Sequence, residues 1–206
     1  PGVIHFDKHK KITLVISPLR SLIQDQIAYL KEKKISVTAV TGENKPSENF
    51  EICNNICRYN FIYTTPESLE RNKELRHSIE TNISNISRLI IDEAHCVSTW
   101  GHDFRSSYLR LGEVREKLLP CIPVTALTAT ASEVVQADIE SQLKMNSCHK
   151  FVSSFFRSNL HLWSFERPSL SQFVSQMRQI ISKHDVGIIY CTTRAKCETY
   201  AEKLDR

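Results

Sequence analysis

The chain has 206 residues, 41% of them hydrophobic, enough to bury one sizeable core and part of a second. Its 27 Lys and Arg against 23 Asp and Glu leave a formal net charge of +4, a mild bias that suits a polyanionic partner without selecting one. No apolar run approaches the roughly 20 residues of a membrane-spanning helix, and no basic-then-apolar leader opens the chain, so a soluble, intracellular protein is expected, nuclear if the source is eukaryotic. The seven cysteines, an odd count scattered along the chain, suit reduced thiols better than a disulfide framework. Cys53 and Cys57 lie one helical turn apart, but no second pair at ligand spacing closes a tetrahedral zinc site.

Taken in order, Pro1-Gly2-Val3-Ile4 reads as the middle of a helix or connection, so the chain is expected to continue upstream. Strand candidates then recur at Ile12 to Ile16, Val37 to Thr41, Phe61 to Thr64, Leu89 to Asp92, Val124 to Thr128 and Gly187 to Thr192. Segments of helical period alternate with them, which predicts an α/β fold: a parallel sheet flanked by helices. Most of the strands read as buried on both faces, because their apolar residues run on rather than alternate.

After the first strand, Ser17 is expected to cap a helix that has Pro18 in its first turn and Leu19, Leu22, Ile23, Ile27 and Leu30 on its apolar stripe. Thr130 or Ser132 can cap a helix from Glu133 to Leu143. The alternation breaks over Ser153 to Pro168, so residues 1–152 are expected to form one domain, 153–168 a linker and 169–206 the start of a second domain. That second part opens with a helix carrying Leu170, Phe173, Val174, Met177, Ile180 and Ile181 on one face. Its closing helix, from Arg194, ends without a Gly or Asn cap, which predicts a cut there too.

The chemistry concentrates in Arg88-Leu89-Ile90-Ile91-Asp92-Glu93-Ala94-His95, an apolar strand that delivers two carboxylates to the carboxyl end of a parallel sheet, where open α/β sheets bind ligands. In nucleotide hydrolases built this way the first carboxylate holds phosphate-bound Mg²⁺ and its neighbour orients or deprotonates the attacking water. Asp92 and Glu93 are the candidates for those roles. The plain alternative is a solvated turn at a strand end.

The run from Asp92 to Phe104, Asp-Glu-Ala-His-Cys-Val-Ser-Thr-Trp-Gly-His-Asp-Phe, followed by Arg105, resembles the DEAH motif and adjoining aromatic-rich loop of RecQ-family DNA helicases. Four further segments are similar to that family's motifs in the same order. Ile16 to Gln26 resembles motif Ia, Tyr63 to Leu69 the next nucleic-acid-contacting segment, Ala126 to Ala131 motif III, and Gly187 to Cys191 with Arg194-Ala195-Lys196 motif IV. The resemblance implies RecA-like domains, the second only begun, with ATP in the cleft between a pair and a DNA strand across both.

It also implies roles for individual residues. Trp100 and Phe104 offer faces for base stacking, while His102 and Arg105 supply donors to phosphate or to the ATP site. Ser17, Arg20 and Pro66 are expected to meet DNA phosphates without reading sequence. Thr128, Ala129 and Thr130 would couple the carboxylates to the DNA side, with His95 between them, and Cys191, Thr192 and Arg194 would contact nucleic acid from the second part. The plain readings are core anchors for Trp100 and Phe104, a surface charge for Arg20, a turn residue for His95 and a helix cap for Thr130.

The sequence contains no glycine-rich run ending in Gly-Lys-Ser or Gly-Lys-Thr to cradle phosphates, so the chain by itself is expected to hydrolyse ATP negligibly and to be poorly soluble. Ser153 to Leu160 resembles the family's interdomain Ser-Phe-Asp-Arg-Pro-Asn, with Phe156 in place of Asp and Ser158 in place of Pro. The reading is therefore an ATP- and Mg²⁺-dependent DNA helicase of RecQ type, unwinding from the 3' side and acting on single strands and duplex junctions. A DEAH- or DEAD-type RNA remodeller and a non-catalytic nucleic-acid-binding relative are the alternatives.

Overall fold

The computed structural model describes residues 11–100, 104–154, 157–164, 166, 168–184 and 186–205. The chain divides into two compact units, Pro1–Lys150 and Phe151–Arg206.

In the first unit a five-stranded, wholly parallel sheet runs β2-β3-β1-β4-β5, from strands β1 (Ile12–Ile16), β2 (Val37–Val40), β3 (Phe61–Thr64), β4 (Ile86–Ile91) and β5 (Val124–Ala126). Helices α1 (Arg20–Glu32), α2 (Pro46–Asn54), α3 (Pro66–Arg71), α4 (Lys73–Thr81), α5 (Ser106–Leu109), α6 (Leu111–Leu118) and α7 (Glu133–Gln142) fill the connections. The expected α/β architecture is the one observed.

β1 is buried along its whole length because it has a strand on each side and helices on each face. Successive side chains of a strand point to opposite faces. Ile12, Leu14 and Ile16 accordingly join the large core with Ile52, Leu75, Ile79, Leu111 and Ile139, whereas Val15 joins Ile23, Val37 and Tyr63 in a smaller one. Ile27 and Leu30 of α1 pack against that second cluster, so most of the predicted apolar stripe faces the sheet.

The helix starts need correction at one point. Leu19, not Ser17, is the N-cap of α1, and no side chain caps it. The Ser17 hydroxyl is directed instead across the sheet edge to Asp92. Ser132 caps α7 by accepting from the Val135 amide, and Thr65 caps α3 from the Ser68 amide. Three strands differ from their expected limits: β2 stops at Val40 and β5 at Ala126, while β4 begins at Ile86 and ends at Ile91.

α6 and α7 approach closely at Gly112, where a β-carbon would lie 2.0 Å from the Gln142 carbonyl oxygen. Backbone on both sides leaves nothing flexible to yield.

In the second unit, α8 (Leu170–Ile181) starts with a capping box between Ser169 and Gln172, and α9 (Arg194–Leu204) is capped by Thr193. Phe173 and Tyr200 stack with centroids 4.9 Å apart, and Arg178 donates to the Lys203 carbonyl, which joins the two helices. The strand expected at Gly187 to Thr192 does not form: the segment has no regular structure, and Tyr190 is 91% exposed. A buried strand requires ladder partners for its amides and carbonyls, and the second unit has no other strand among its described residues to supply them.

Replacing Gly112 with Ala is expected to destabilise the first unit by about 1–3 kcal/mol, read as a lower urea midpoint with an unchanged slope.

Candidate active site

Because all five strands are parallel, their carboxyl ends share one edge. Ser17, Pro18 and Arg20 follow β1, Thr65 and Pro66 follow β3, Asp92 and Glu93 follow β4, and Thr128 lies just beyond β5. The chain leaves β1 toward β2 on one side and later crosses to β4 on the other, so the edge between β1 and β4 is a topological switch point. Asp92 sits there.

Backbone and side chain both hold Asp92. Its amide donates to the Ile16 carbonyl at 2.8 Å, and its own carbonyl accepts from the fully buried Tyr108 hydroxyl at 3.0 Å. One carboxylate oxygen accepts the Glu93 amide at 3.0 Å, and the other accepts the Ser17 hydroxyl at 3.4 Å. The carboxylate stays half-buried at the edge.

Glu93 has φ 49° and ψ 45°, the left-handed region that non-glycine residues rarely occupy. This turns the chain sharply out of β4 into a 3₁₀ turn, Ala94–Val97. The Ala94 amide donates to the Leu127 carbonyl and the Leu127 amide to Ile91, each at 2.8 Å, so the turn is laced to the end of β5.

Buried His95 lies between the two segments. Its Nδ1 is 3.2 Å from a Glu93 carboxylate oxygen and 2.9 Å from the Thr128 hydroxyl. Thr128 has one hydroxyl proton and donates it to the Thr130 carbonyl at 3.0 Å. A proton on His95 Nδ1 satisfies both contacts, since the Glu93 carboxylate and a Thr128 hydroxyl that donates to Thr130 can each accept it. Ala129 and Thr130 are exposed on the same loop.

Beyond the turn, Trp100 is 76% exposed and Phe104 41%, so neither is a core anchor. Such faces are free to stack. Arg105 donates to the Pro18 carbonyl at 3.0 Å, tying the loop back to the end of β1. His102 lies outside the described residues.

Arg20 forms an exposed ion pair with Glu43 at 2.5 Å, beside a cavity of about 780 Å³ lined by Arg20, Gly42, Asn49, Phe50, Thr65 and Glu67 among others. Pro66 is buried as the first residue of α3 and carries no amide proton, so it shapes the helix start and donates no hydrogen bond of its own. Burial pushes the Glu67 carboxyl up, but hydrogen bonds from Ser107, its own backbone and Thr65, with the charge of Arg105, together hold it below the usual range.

In the second unit, Cys191 is half-buried, Thr192 and Arg194 are exposed, and the Lys196 ammonium donates to the Thr192 hydroxyl at 3.1 Å.

Sequence reasoning missed Tyr108, which buttresses Asp92, and Ser98, which is fully buried and donates to Asp138 of α7 at 2.6 Å. A serine ending the buried run Ala94 to Val97 was the only sequence signal for the second contact.

The donor set suits a magnesium nucleotide. Asp92 and Glu93 offer hard oxygen donors, and no cluster of three or more His, Cys, Asp or Glu able to cage a metal occurs among the described residues. A cation at Asp92 would complete its shell with water and phosphate oxygens, as Mg²⁺ prefers.

Residues 2–137 match the family model for the DEAD/DEAH box helicase. The chain belongs to the DEAD/DEAH box helicase family. Its curated relatives include the ATP-dependent DNA helicase hus2/rqh1 of Schizosaccharomyces pombe, 38% identical over 99% of this chain and 16% of that protein. The RecQ-like DNA helicase BLM of Xenopus laevis is 38% identical over 95% of this chain and 15% of its own length. The helicase chain thus spans about a sixth of these relatives. Its fold is shared with the Mycobacterium smegmatis helicase Lhr, solved bound to ssDNA and AMP-PNP, at a TM-score of 0.65 and 18% identity over 94% of this chain and 28% of Lhr. The RecQ resemblance read from the five motifs agrees with the relatives found. No helix among the described residues is long and apolar enough to cross a membrane.

Burial, and next the Asp92 carboxylate, push the Tyr63 phenol of this helicase chain from 10.0 up to about 12. A folded pKa above the unfolded one means that its contribution is complete below pH 10 and is lost as pH rises toward about 12. Across that window the urea midpoint should fall, and Tyr63→Phe should fall less than the wild type.

Proposed function

We propose that this chain is the motor segment of a RecQ-type, ATP-dependent DNA helicase in which residues 1–152 form the first RecA-like domain, 153–168 a linker and 169–206 the start of the second. The observation that carries the reading is the hydrogen-bonded path from Glu93 through His95 to Thr128, beside an Asp92 held at the sheet's switch point.

Bound Mg²⁺-ATP supplies the scissile phosphoanhydride and a Lewis acid. Asp92 would hold the cation, and Glu93 would orient the attacking water and accept its proton. His95 keeps the Glu93 carboxylate aimed by donating to it, and its second contact ties that aim to Thr128, Ala129 and Thr130. A change in the loop bearing those residues would therefore reach the water-activating group.

A single DNA strand would run along the same edge. Arg20 and amides of the segment that follows Pro66 meet its phosphates, and Trp100 and Phe104 stack on its bases, with His102 and Arg105 as further donors, whereas Ser17, fully buried with its amide on the Thr64 carbonyl and its hydroxyl on Asp92, serves the carboxylate instead. Cys191, Thr192 and Arg194 would serve it from the second domain. The exposure of Trp100 and Phe104 supports this, because their ring faces are not taken up by the core. Unwinding from the 3' side, a preference for junctions and, in a eukaryotic source, action in the nucleus go with this reading.

In the full-length protein, Glu93→Gln should lower single-strand-stimulated ATP turnover about 100-fold or more while DNA binding is retained. Unchanged turnover would refute the assignment, and equal unwinding of RNA and DNA duplexes would favour an RNA remodeller.

A further inference from the structure

Ser98 ends the 3₁₀ turn that carries His95 and begins the loop that carries Trp100. It is fully buried and makes three hydrogen bonds, two within its own turn and loop and one to a distant helix. Its hydroxyl donates to the Asp138 carboxylate of α7 at 2.6 Å and accepts the Trp100 amide at 3.2 Å. Its own amide donates to the His95 carbonyl at 3.0 Å.

α7 follows the Thr128 to Thr130 segment directly in the chain, and its start is held by local bonds. Ser132 caps it two residues after Thr130, and the Gln136 side chain donates to the Ala131 carbonyl at 3.1 Å. Val135 and Ile139 of α7 are buried in the same core as Ala94, Cys96 and Val97 of the turn. Hydrogen bonds join Trp100 to Ser98, Ser98 to Asp138 of α7, and Thr128 to His95, and the chain from Thr128 through Ala131 and Ser132 into α7 completes the circuit.

We propose that Asp138 is a positioning residue that couples the aromatic loop to the ATP site, acting through Ser98 and touching neither nucleotide nor DNA. The inference rests on the helicase reading. Movement of Trp100 when a strand binds pulls on the Ser98 hydroxyl. Asp138 makes α7 a fixed support for that pull, so the displacement reaches His95 and Glu93 instead of dissipating. A carboxylate suits the role, because a charged acceptor binds a buried hydroxyl about twice as strongly as a neutral one.

The test uses the full-length protein, with ATP turnover measured with and without a single-stranded oligonucleotide and oligonucleotide affinity measured by fluorescence anisotropy. Asp138→Ala should lower the stimulated kcat about tenfold, leaving DNA-free turnover and DNA affinity within about twofold. Asp138→Asn, whose amide oxygen can still accept from Ser98, should recover most of the loss. Ser98→Ala should reproduce it and serves in its place if Asp138→Ala does not fold. The double variant should lose no more than either single one. Unchanged stimulation in Asp138→Ala would overturn the coupling, as would a parallel loss of DNA-free turnover, which marks a merely structural contact. A wild-type protein whose turnover ignores DNA would instead overturn the helicase reading, and the coupling with it.

Discussion

Parallel pairing of β1 with β4 places the chemistry of the first unit. β1 is hydrogen-bonded on both sides and covered on both faces, so its end is a fixed point, and the register Ile16 to Ile91 puts Ser17 directly beside Asp92. One carboxylate oxygen of Asp92 is thereby spent on the neighbouring strand's hydroxyl and the other on the next amide, while its backbone is held by Ile16 and Tyr108. A group anchored at four points would lose little further freedom on binding a ligand, which sets this carboxylate apart from a plain surface charge.

The sharp exit from β4 follows from the same constraint. Leu127 continues the β5 ladder by bonding to Ile91 and then to Ala94, so the chain has only Asp92 and Glu93 in which to reverse direction. Glu93 absorbs the turn in the left-handed region. Backbone strain of this kind costs on the order of 1–3 kcal/mol and persists where surrounding contacts over-determine it. Here those contacts are the β5 ladder and the His95 to Thr128 bond.

The roots of the loop that follows are held at Ser98 and Arg105, while Trp100 and Phe104 remain exposed. Fixed roots with exposed aromatics suit a loop that responds to a ligand without unravelling the turn behind it. The neighbouring cavity is lined by Arg20 together with Glu67 and Glu74, and Arg20 pairs with Glu43 beside it, so a polyanion entering must compete for an arginine that is already paired.

The fold class, the strands of the first unit and the seat of Asp92 and Glu93 just beyond β4 were legible from the amino-acid sequence, because buried parallel strands leave uninterrupted β-branched runs and their ends carry the polar residues. Three features were not. Ser17 reads locally as a helix cap, yet its hydroxyl is taken by Asp92, 75 residues away. Gly187 to Thr192 has every mark of a buried strand, but the described residues of its unit supply no partner, and composition cannot record a missing neighbour. The contacts of Tyr108 with Asp92 and of Ser98 with Asp138 join residues 16 and 40 positions apart. Local periodicity specifies which face of an element is apolar; which polar atoms meet across the edge is decided only when the strands register and the helices pack, since a hydrogen bond depends on distances that no spacing in the chain encodes.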